Sequence, residues 1–195
     1  NEVSKTYEFS LRLGQRTPTG DTGSAVCEEQ SWSHITTDSV RAALGHFTGD
    51  LQQRVPVYSN AKFNGERLSD LARAGVEVLE DMRPLKAHHV FRLELLKQSD
   101  ATLCFQVEAT SGFYVRQLCE DLARELGTVG HASAIHRQKI GDIDLQMAWT
   151  LEELEEFVTA TPGEFSIQQS VKRNDIEGSP APRRRRQKAP VLGPK

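Results

Sequence analysis

A tyrosine and an arginine stand at the beginning of the clearest helical pattern in the chain, in the segment Ser111-Gly112-Phe113-Tyr114-Val115-Arg116. A helix start presents unpaired N–H groups and the positive end of the helix dipole. A tyrosine ring is a flat surface on which a nucleobase can stack, and a guanidinium can bind a phosphate or a carboxylate. The pattern indicates a pocket for a flipped nucleobase. The alternative is that Tyr114 packs on a sheet and Arg116 is a solvated helix residue.

Three other segments combine aromatic, basic and turn-forming residues. They are Lys5-Thr6-Tyr7, then Arg16 to Asp21, then Gln53 to Lys62, which is followed by Gly65 and by Leu71-Ala72-Arg73. Taken singly, each has an ordinary explanation: Tyr7 as a core aromatic in a strand, Lys62 and Arg73 as surface charges, and the Thr17 to Asp21 loop as a simple turn.

Other kinds of site are disfavoured by the sequence. The chain contains no P-loop, no G-x-G-x-x-G, no H-E-x-x-H and no G-x-S-x-G. Its six histidines have no metal-ligand spacing, and the adjacent pair His88 and His89 should point to opposite sides of a strand. Cys27, Cys104 and Cys119 form no C-x-x-C pair, which argues against zinc and a disulfide framework and favours an intracellular protein. These patterns argue against a metal site.

In order and approximate spacing, these segments resemble the TruB-type pseudouridine synthases, which modify the T-loop uridine of tRNA. The resemblance covers about residues 3–160. The residues that carry it are Lys5, Tyr7, Leu13, Gly14, Thr17, Thr19, Asp21, Gln53, Pro56, Tyr58, Ser59, Lys62, Gly65, Leu71, Ala72, Arg73, Gly75, Gly112, Tyr114, Val115, Arg116, Leu118, Ile135, Arg137 and Gly141.

The resemblance implies a role for each pocket residue. Tyr7 would stack on the flipped uracil and is a candidate for the base that removes the C5 proton, and Tyr114 would contact the same base or its ribose. Arg116 would pair with the catalytic aspartate and hold it ionised. Ile135 would form part of the apolar wall. The resemblance also implies phosphate contacts from two basic residues, Lys62 and Arg73, and it implies no metal or organic cofactor.

The catalytic aspartate is not in this sequence. In the family it lies in a G-x-L-D-P-like loop upstream of the K-x-Y motif, whereas this chain starts at Asn1, four residues before Lys5. We therefore predict that upstream sequence supplies it, with a catalytically silent TruB-like RNA-binding or ribosome-associated protein as the alternative. A guide-dependent synthase subunit is a third, weaker possibility. Ser69 and Phe113 resemble the eukaryotic branch, and removal of a presequence before Asn1 would slightly favour mitochondria over the nucleus or cytosol.

Charge divides the chain unevenly. Of its 24 Lys+Arg and 27 Asp+Glu, eight basic and two acidic residues lie in 172–195, a net of +6 against −9 for the rest. We predict a partial TruB-like domain over 1–165 and an extended basic tail over 166–195, in place of the PUA domain of many relatives. The tail arginines, Arg183, Arg184, Arg185 and Arg186, would bind RNA phosphates (tRNA T-arm or rRNA) and assist a ribonucleoprotein assembly. The alternative is a disordered solubilising or nuclear-import segment.

The elements that would position these residues alternate without a strict βαβ rhythm. Period-2 or apolar runs predict strands at 5–13, 90–96, 103–107 and 140–145, and apolar spacing predicts helices at 66–74 and 114–126. Thr37 should cap a further helix, the stretch 51–65 reads as irregular, and Thr150 to Glu153 is a capping box. The fold class is α+β with a mixed or antiparallel sheet flanked by helices. No run is long enough to span a membrane.

Overall fold

A six-stranded antiparallel sheet is the centre of the computed structural model, which describes residues 3–159. Its strand order is β10-β9-β1-β8-β7-β4. The six strands are β1 (Lys5–Leu13), β4 (Gly49–Arg54), β7 (Leu85–Ser99), β8 (Thr102–Ala109), β9 (Gly130–Ile140) and β10 (Ile143–Asp144). Two short pairs lie outside the sheet: β2 (Gln15–Arg16) with β3 (Glu28–Glu29), and β5 (Lys62–Phe63) with β6 (Glu66–Arg67).

Four α-helices accompany the strands: α1 (Thr37–Leu44), α2 (Leu68–Arg73), α3 (Val115–Glu125) and α4 (Leu151–Thr159). Single 3₁₀ turns occur at Gly45–Phe47, Glu80–Met82 and Leu145–Met147. The predicted α+β class is confirmed. No helix among residues 3–159 has the length and apolar character needed to cross a membrane.

Alternation along the central strands produces the core. Phe9, Leu11 and Leu13 of β1 lie on one face of the sheet and are almost fully buried. Phe9 and Leu11 pair in register with Phe105 and Leu103 of β8. Phe9 stacks on Phe105 with ring centroids 5.2 Å apart. Burying a side chain of this size contributes about 1.5–3 kcal/mol. The sheet is therefore stabilised mainly by the apolar side chains on the face that α1 and α3 cover.

Helix α3 follows the predicted apolar stripe closely. Leu118 and Leu122 are fully buried in the core cluster, and Gly127 ends the helix region with a φ of +75°. Helix α1 begins one residue earlier than predicted. Thr36 rather than Thr37 is the N-cap, because the Thr36 hydroxyl accepts the Ser39 N–H in a capping box.

Two parts of the sheet differ from the sequence prediction. The stretch 51–65 is only partly irregular, since β4 pairs with β7 from Gly49 to Arg54 and the β5–β6 hairpin begins at Lys62, which leaves 55–61 without helix or strand. Strand β9 starts at Gly130, ten residues before the predicted strand at Ile140. Both strands are rich in polar residues, so their pairing depends on neighbouring strands rather than on local apolar alternation.

A second compact unit begins at Met147 and contains α4 within the described residues. The predicted capping box is confirmed, because the Thr150 hydroxyl accepts the Glu153 N–H at 3.1 Å and the Glu153 carboxylate accepts the Thr150 N–H at 2.8 Å. The predicted basic tail, 166–195, and the predicted boundary at 165 lie outside the described residues.

Candidate active site

Arg116 joins three separate segments of the chain at the start of α3. Its Nη1 donates to the Asp21 carboxylate at 2.9 Å and to the Thr19 carbonyl at 3.0 Å, and its Nη2 donates to the Tyr58 carbonyl at 2.9 Å. The Arg116 side chain is nevertheless 27% exposed. These bonds fix the direction of the guanidinium while part of it faces solvent.

The Asp21 carboxylate is held in its charged form. Burial by itself would raise the pKa of Asp21, but the Thr19 hydroxyl, the Gly23 N–H and the Arg116 charge together outweigh burial, and the net pKa shift is downward. The Thr19 hydroxyl donates to Asp21 Oδ1 at 2.7 Å and the Gly23 N–H at 2.9 Å. Asp21 and Arg116 therefore form an ion pair at neutral pH.

The loop that carries Asp21 is fixed between α3 and β9. The Ala132 N–H donates to the Gly20 carbonyl at 3.0 Å. On the other side, a Cβ placed on Gly20 would lie 2.8 Å from the Glu120 carboxylate, and the φ of Gly20 is +71°. Only glycine satisfies both conditions without moving the loop or Glu120.

Tyr7 and Ile135 lie on the sheet face that α3 covers. Tyr7 is opposite Arg137 in the β1–β9 register, and Phe9, two residues further, is opposite Ile135. Since residues paired across strands share a face, the side chains of Tyr7 and Ile135 project to the same side. Tyr7 is half-buried against the core, and Ile135 is 39% exposed. The structure thus places both at the rim of the core near the α3 side of the sheet.

Tyr114 occupies the N-cap position of α3, with extended backbone angles. The side-chain amide of Gln53, which is only 1% exposed, forms two hydrogen bonds with the Tyr114 backbone. Tyr114 and Arg116 are therefore both anchored at the same helix start, and the Tyr114 side chain is half-buried. The nucleobase pocket stays a prediction.

Lys62 and Arg73 lie elsewhere, on the β5–β6 hairpin and α2. Both are exposed. Arg73 bonds only to Asp70 of its own helix, at 3.2 Å, and its side chain is 69% exposed. The structure does not bring these two cations into the cluster around Arg116; it leaves them on a surface that a larger ligand could reach.

Glu120 is an unexpected, partly buried carboxylate one turn after Arg116. Burial raises its pKa, and the nearby charge of Arg83 offsets only part of that effect. Arg83 is itself half-buried, and burial lowers its pKa. Its Nε donates to the Val55 carbonyl at 2.7 Å and its Nη2 to Gln117 Oε1 at 2.8 Å. This polar layer supports the side of α3 that lies next to the Asp21 loop.

The two adjacent histidines are separated as predicted: His88 is buried, whereas His89 is partly exposed and bonds to the Asp50 carboxylate at 2.7 Å. Within residues 3–159, no three side chains of His, Cys, Asp or Glu come together as a metal site. Burial raises the pKa of the Cys119 thiol. The expectation that the site uses no metal or cofactor stays a prediction.

Sequence reasoning missed two residues of this cluster, although both occur in the motifs it quoted. Asp21 ends the Thr17-to-Asp21 loop, and Gln53 begins the segment that leads to Tyr58. Asp21 and Gln53 contact α3 across 95 and 61 residues of sequence. The only signal in the sequence was that the Asp21 loop and the Gln53 segment occur in the same chain as the Tyr114–Arg116 motif. Such co-occurrence does not show which residues are in contact.

Family models match the chain in two consecutive parts. Residues 1–115 match the TruB family pseudouridylate synthase (N terminal domain), and residues 116–172 match the tRNA pseudouridylate synthase B C-terminal domain. The tRNA pseudouridine synthase B of Aromatoleum aromaticum is 41% identical over 167 residues, 85% of this chain and 51% of that protein. The same enzyme of Gluconacetobacter diazotrophicus is 44% identical over 139 residues, 71% and 44% of the two chains.

Solved structures share the fold at lower identity. A chain of a Cbf5–Nop10–Gar1 complex matches with a TM-score of 0.56 and 20% identity, covering 80% of this chain and 36% of that one. A chain of an H/ACA ribonucleoprotein bound to a substrate RNA containing 2′-deoxyuridine matches with a TM-score of 0.53 and 16% identity, covering 91% and 38%.

The chain spans about half the length of the curated relatives it matches. Within that half, the family models cover both the segment that carries Tyr7, Asp21 and Tyr114 and the segment that begins at Arg116. This sequence belongs to the TruB family of pseudouridylate synthases.

Proposed function

We propose that the whole protein isomerises the T-loop uridine of tRNA to pseudouridine, with its catalytic aspartate in sequence upstream of Lys5. The reaction breaks the N1–C1′ glycosidic bond of the uridine and joins C1′ to C5. C5 then loses its proton, and N1 gains one. It conserves all atoms of the nucleoside and requires no redox partner.

The observation that carries this proposal is that the Arg116 guanidinium is held in place by hydrogen bonds but is not fully occupied by them. A guanidinium has five N–H donors, and three hydrogen bonds to Asp21, Thr19 and Tyr58 occupy part of that capacity. Its side chain remains partly exposed. A guanidinium fixed in this way can donate hydrogen bonds to a second carboxylate without reorganising. Pairing with the catalytic aspartate is the role that the family resemblance implies for Arg116.

We propose that two aromatic residues and one apolar residue supply the rest of the pocket. Tyr7 would stack on the flipped uracil and take the C5 proton, Tyr114 would contact the base or its ribose, and Ile135 would close the apolar wall. Flipping costs stacking energy of a few kcal/mol, and contact with aromatic side chains offsets that cost.

Phosphate binding falls to other parts of the chain. Lys62 and Arg73 are exposed cations on the hairpin and α2, and we propose that they contact the RNA backbone. We propose the same for Arg183 to Arg186, together with a part in ribonucleoprotein assembly. The T-arm as the target rests on the motif resemblance. Mitochondria as the location stays a prediction.

A second candidate is a catalytically silent RNA-binding or ribosome-associated protein. The observation that favours it is that Arg116 already has a carboxylate partner, Asp21, within this chain. In that case, the ion pair would serve only to hold the Asp21 loop on α3, and the pocket would bind a base without acting on it.

The decisive experiment measures pseudouridine in a T-arm hairpin incubated with the full-length protein. Stoichiometric or catalytic pseudouridine formation supports the enzyme. Hairpin binding without any product would contradict it and favour the silent protein. Upstream sequence gives an independent check, because an aspartate in a G-x-L-D-P context would argue against the silent protein.

A further inference from the structure

Gln53 makes an unusual pair of hydrogen bonds. Its Nε2 donates to the Tyr114 carbonyl at 3.0 Å, and its Oε1 accepts the Tyr114 N–H at 2.8 Å. The side-chain amide thus contacts the Tyr114 backbone in the way that one residue of an antiparallel strand contacts its partner. Gln53 is only 1% exposed, so water does not replace these bonds if the amide is removed.

The residue held in this way is the one that begins α3. Tyr114 is the N-cap with φ −105° and ψ 99°, and no side chain caps the helix. Its carbonyl also accepts the Leu118 N–H at 3.1 Å, the first bond of the helix. Gln53 therefore restrains the N–H and the carbonyl of Tyr114 together, and with them the direction in which the Tyr114 side chain leaves the backbone.

Two further contacts connect the segment after Gln53 to the same helix start. The Tyr58 carbonyl accepts a bond from Arg116, and the Val55 carbonyl accepts one from Arg83, which also bonds to Gln117. Of the three connections, only that of Gln53 reaches the Tyr114 backbone directly. Its removal should loosen Tyr114 while the contacts of Arg116 persist.

We infer that Gln53 is a positioning residue for base recognition, which acts by fixing the orientation of Tyr114. This inference rests on the proposed function, in which Tyr114 contacts the flipped base or its ribose. Phosphate binding depends on other residues, so the role of Gln53 is confined to the part of RNA affinity that comes from the target base.

The test compares Gln53→Met with Gln52→Met. Methionine preserves the volume of glutamine and removes both hydrogen bonds, and Gln52 is the exposed neighbour on the same strand. The full chain of each variant is titrated with two T-arm hairpins that differ only at the target nucleotide, which is uridine in one and abasic in the other. The ratio of the two affinities measures base recognition alone.

We expect the wild type and Gln52→Met to prefer the uridine hairpin. Gln53→Met should lose about tenfold of that preference, the factor that corresponds to about 1.4 kcal/mol, with its affinity for the abasic hairpin unchanged. In a Tyr114→Ala background, Gln53→Met should have no further effect on the ratio, because its action passes through Tyr114. If Gln53→Met does not fold, Gln53→Glu, which keeps an acceptor for the Tyr114 N–H, takes its place in the same comparison.

Three outcomes would overturn the inference about Gln53. A preference retained in Gln53→Met, an equal loss for both hairpins, or a full additional loss in the Tyr114→Ala background would show that Gln53 has only a general structural role. A wild-type chain that does not distinguish the hairpins would instead contradict the proposed function, so the two failures are separable.

Discussion

The start of α3 and the surface formed by β5, β6 and α2 both present cations, but the two regions are built differently. Arg116 is 27% exposed and bonds to three segments distant in sequence. Arg73 is 69% exposed and bonds only within its own helix, to Asp70. The first arrangement fixes one direction in advance, which suits recognition of a base and a carboxylate; the second leaves long side chains free to follow a phosphate backbone.

The largest expected effect comes from breaking the fixed region at its centre. Arg116→Ala should lower kcat/KM for T-arm pseudouridine formation by about a thousandfold or more, because under the proposed function Arg116 is the preorganised cation that holds the catalytic aspartate. Arg116→Lys should recover little, since an ammonium cannot reproduce the forked geometry of the guanidinium. Single-turnover measurements on the full-length protein provide both values.

Arg124→Ala is the matched control for that experiment. Arg124 lies two turns further along α3, is 74% exposed and bonds only to Asp121. It should retain activity within about twofold. If Arg116→Ala were as active as Arg124→Ala, the assignment of Arg116 to the pocket would be wrong.

The next effect in size concerns the loop partner of Arg116. Asp21→Asn should reduce kcat/KM by about ten- to a hundredfold, since the guanidinium loses the charge that orients it. It should also lower the free energy of unfolding at pH 7 by about 1 kcal/mol or less, as expected for a pair that is partly exposed to solvent.

The stability difference has a defined pH dependence. The folded-state pKa of Asp21 is lowered, so its contribution to stability is complete above the ordinary value of 3.8 and is lost as the pH falls through the lowered folded value. Chemical denaturation of the wild type and Asp21→Asn should therefore converge in acid. Asp142→Asn, at an exposed site, should show no such convergence, and a constant Asp21→Asn difference down to pH 2 would refute the ion-pair explanation.

The same contrast explains what the sequence predicted and what it did not. Strand β1 and helix α3 have strong local patterns and were predicted within a residue or two of their observed bounds. Strand β4 contains Gln52, Gln53 and Arg54, and its inward glutamine is polar, so nothing local marks it as a strand. It forms because β7 provides a partner along its whole length.

The candidate site follows the same rule. Tyr114 and Arg116 were predicted together, because they lie two residues apart at a recognisable helix start. The contacts of Arg116 with Asp21 and of Tyr114 with Gln53 could not be predicted, because they depend on how the sheet and α3 bring distant segments together. Motif order identifies which residues belong to a site, whereas the bonds between them require the tertiary fold.

The exposed region should respond more weakly than the fixed one. Lys62→Ala should reduce affinity for a T-arm hairpin by about three- to tenfold and lower the slope of log K against log salt by about 1, since one phosphate contact is removed. Arg73→Ala should behave similarly. Neither change should alter the preference for uridine over an abasic site, in contrast to Gln53→Met.

Lys97→Ala controls for net charge in that titration. Lys97 is exposed on β7, outside the hairpin and α2. Its removal should leave the salt slope unchanged. An equal change of slope for Lys97→Ala and Lys62→Ala would show that RNA responds to overall charge and that the hairpin surface has no specific role.

The smallest expected effect tests whether the charge of Glu120, in the polar layer beside the start of α3, destabilises the folded protein. Glu120 faces Arg83, Asp121, Arg124 and Arg16, and burial nevertheless raises its pKa. Because the folded-state pKa of Glu120 is raised, ionisation of Glu120 destabilises the folded protein. This destabilisation does not occur below the ordinary pKa of 4.5, and it is complete once the pH has risen through the folded-state pKa. Glu120→Gln should therefore raise Tm at pH 7 by no more than a few degrees and leave it unchanged at pH 4.

Glu77→Gln, in the exposed loop after α2, is the control and should leave Tm unchanged at both pH values. A lower Tm for Glu120→Gln at pH 7 would mean that attraction to the surrounding arginines exceeds the cost of burial, and Glu120 would then count among the groups that stabilise the Arg116 cluster.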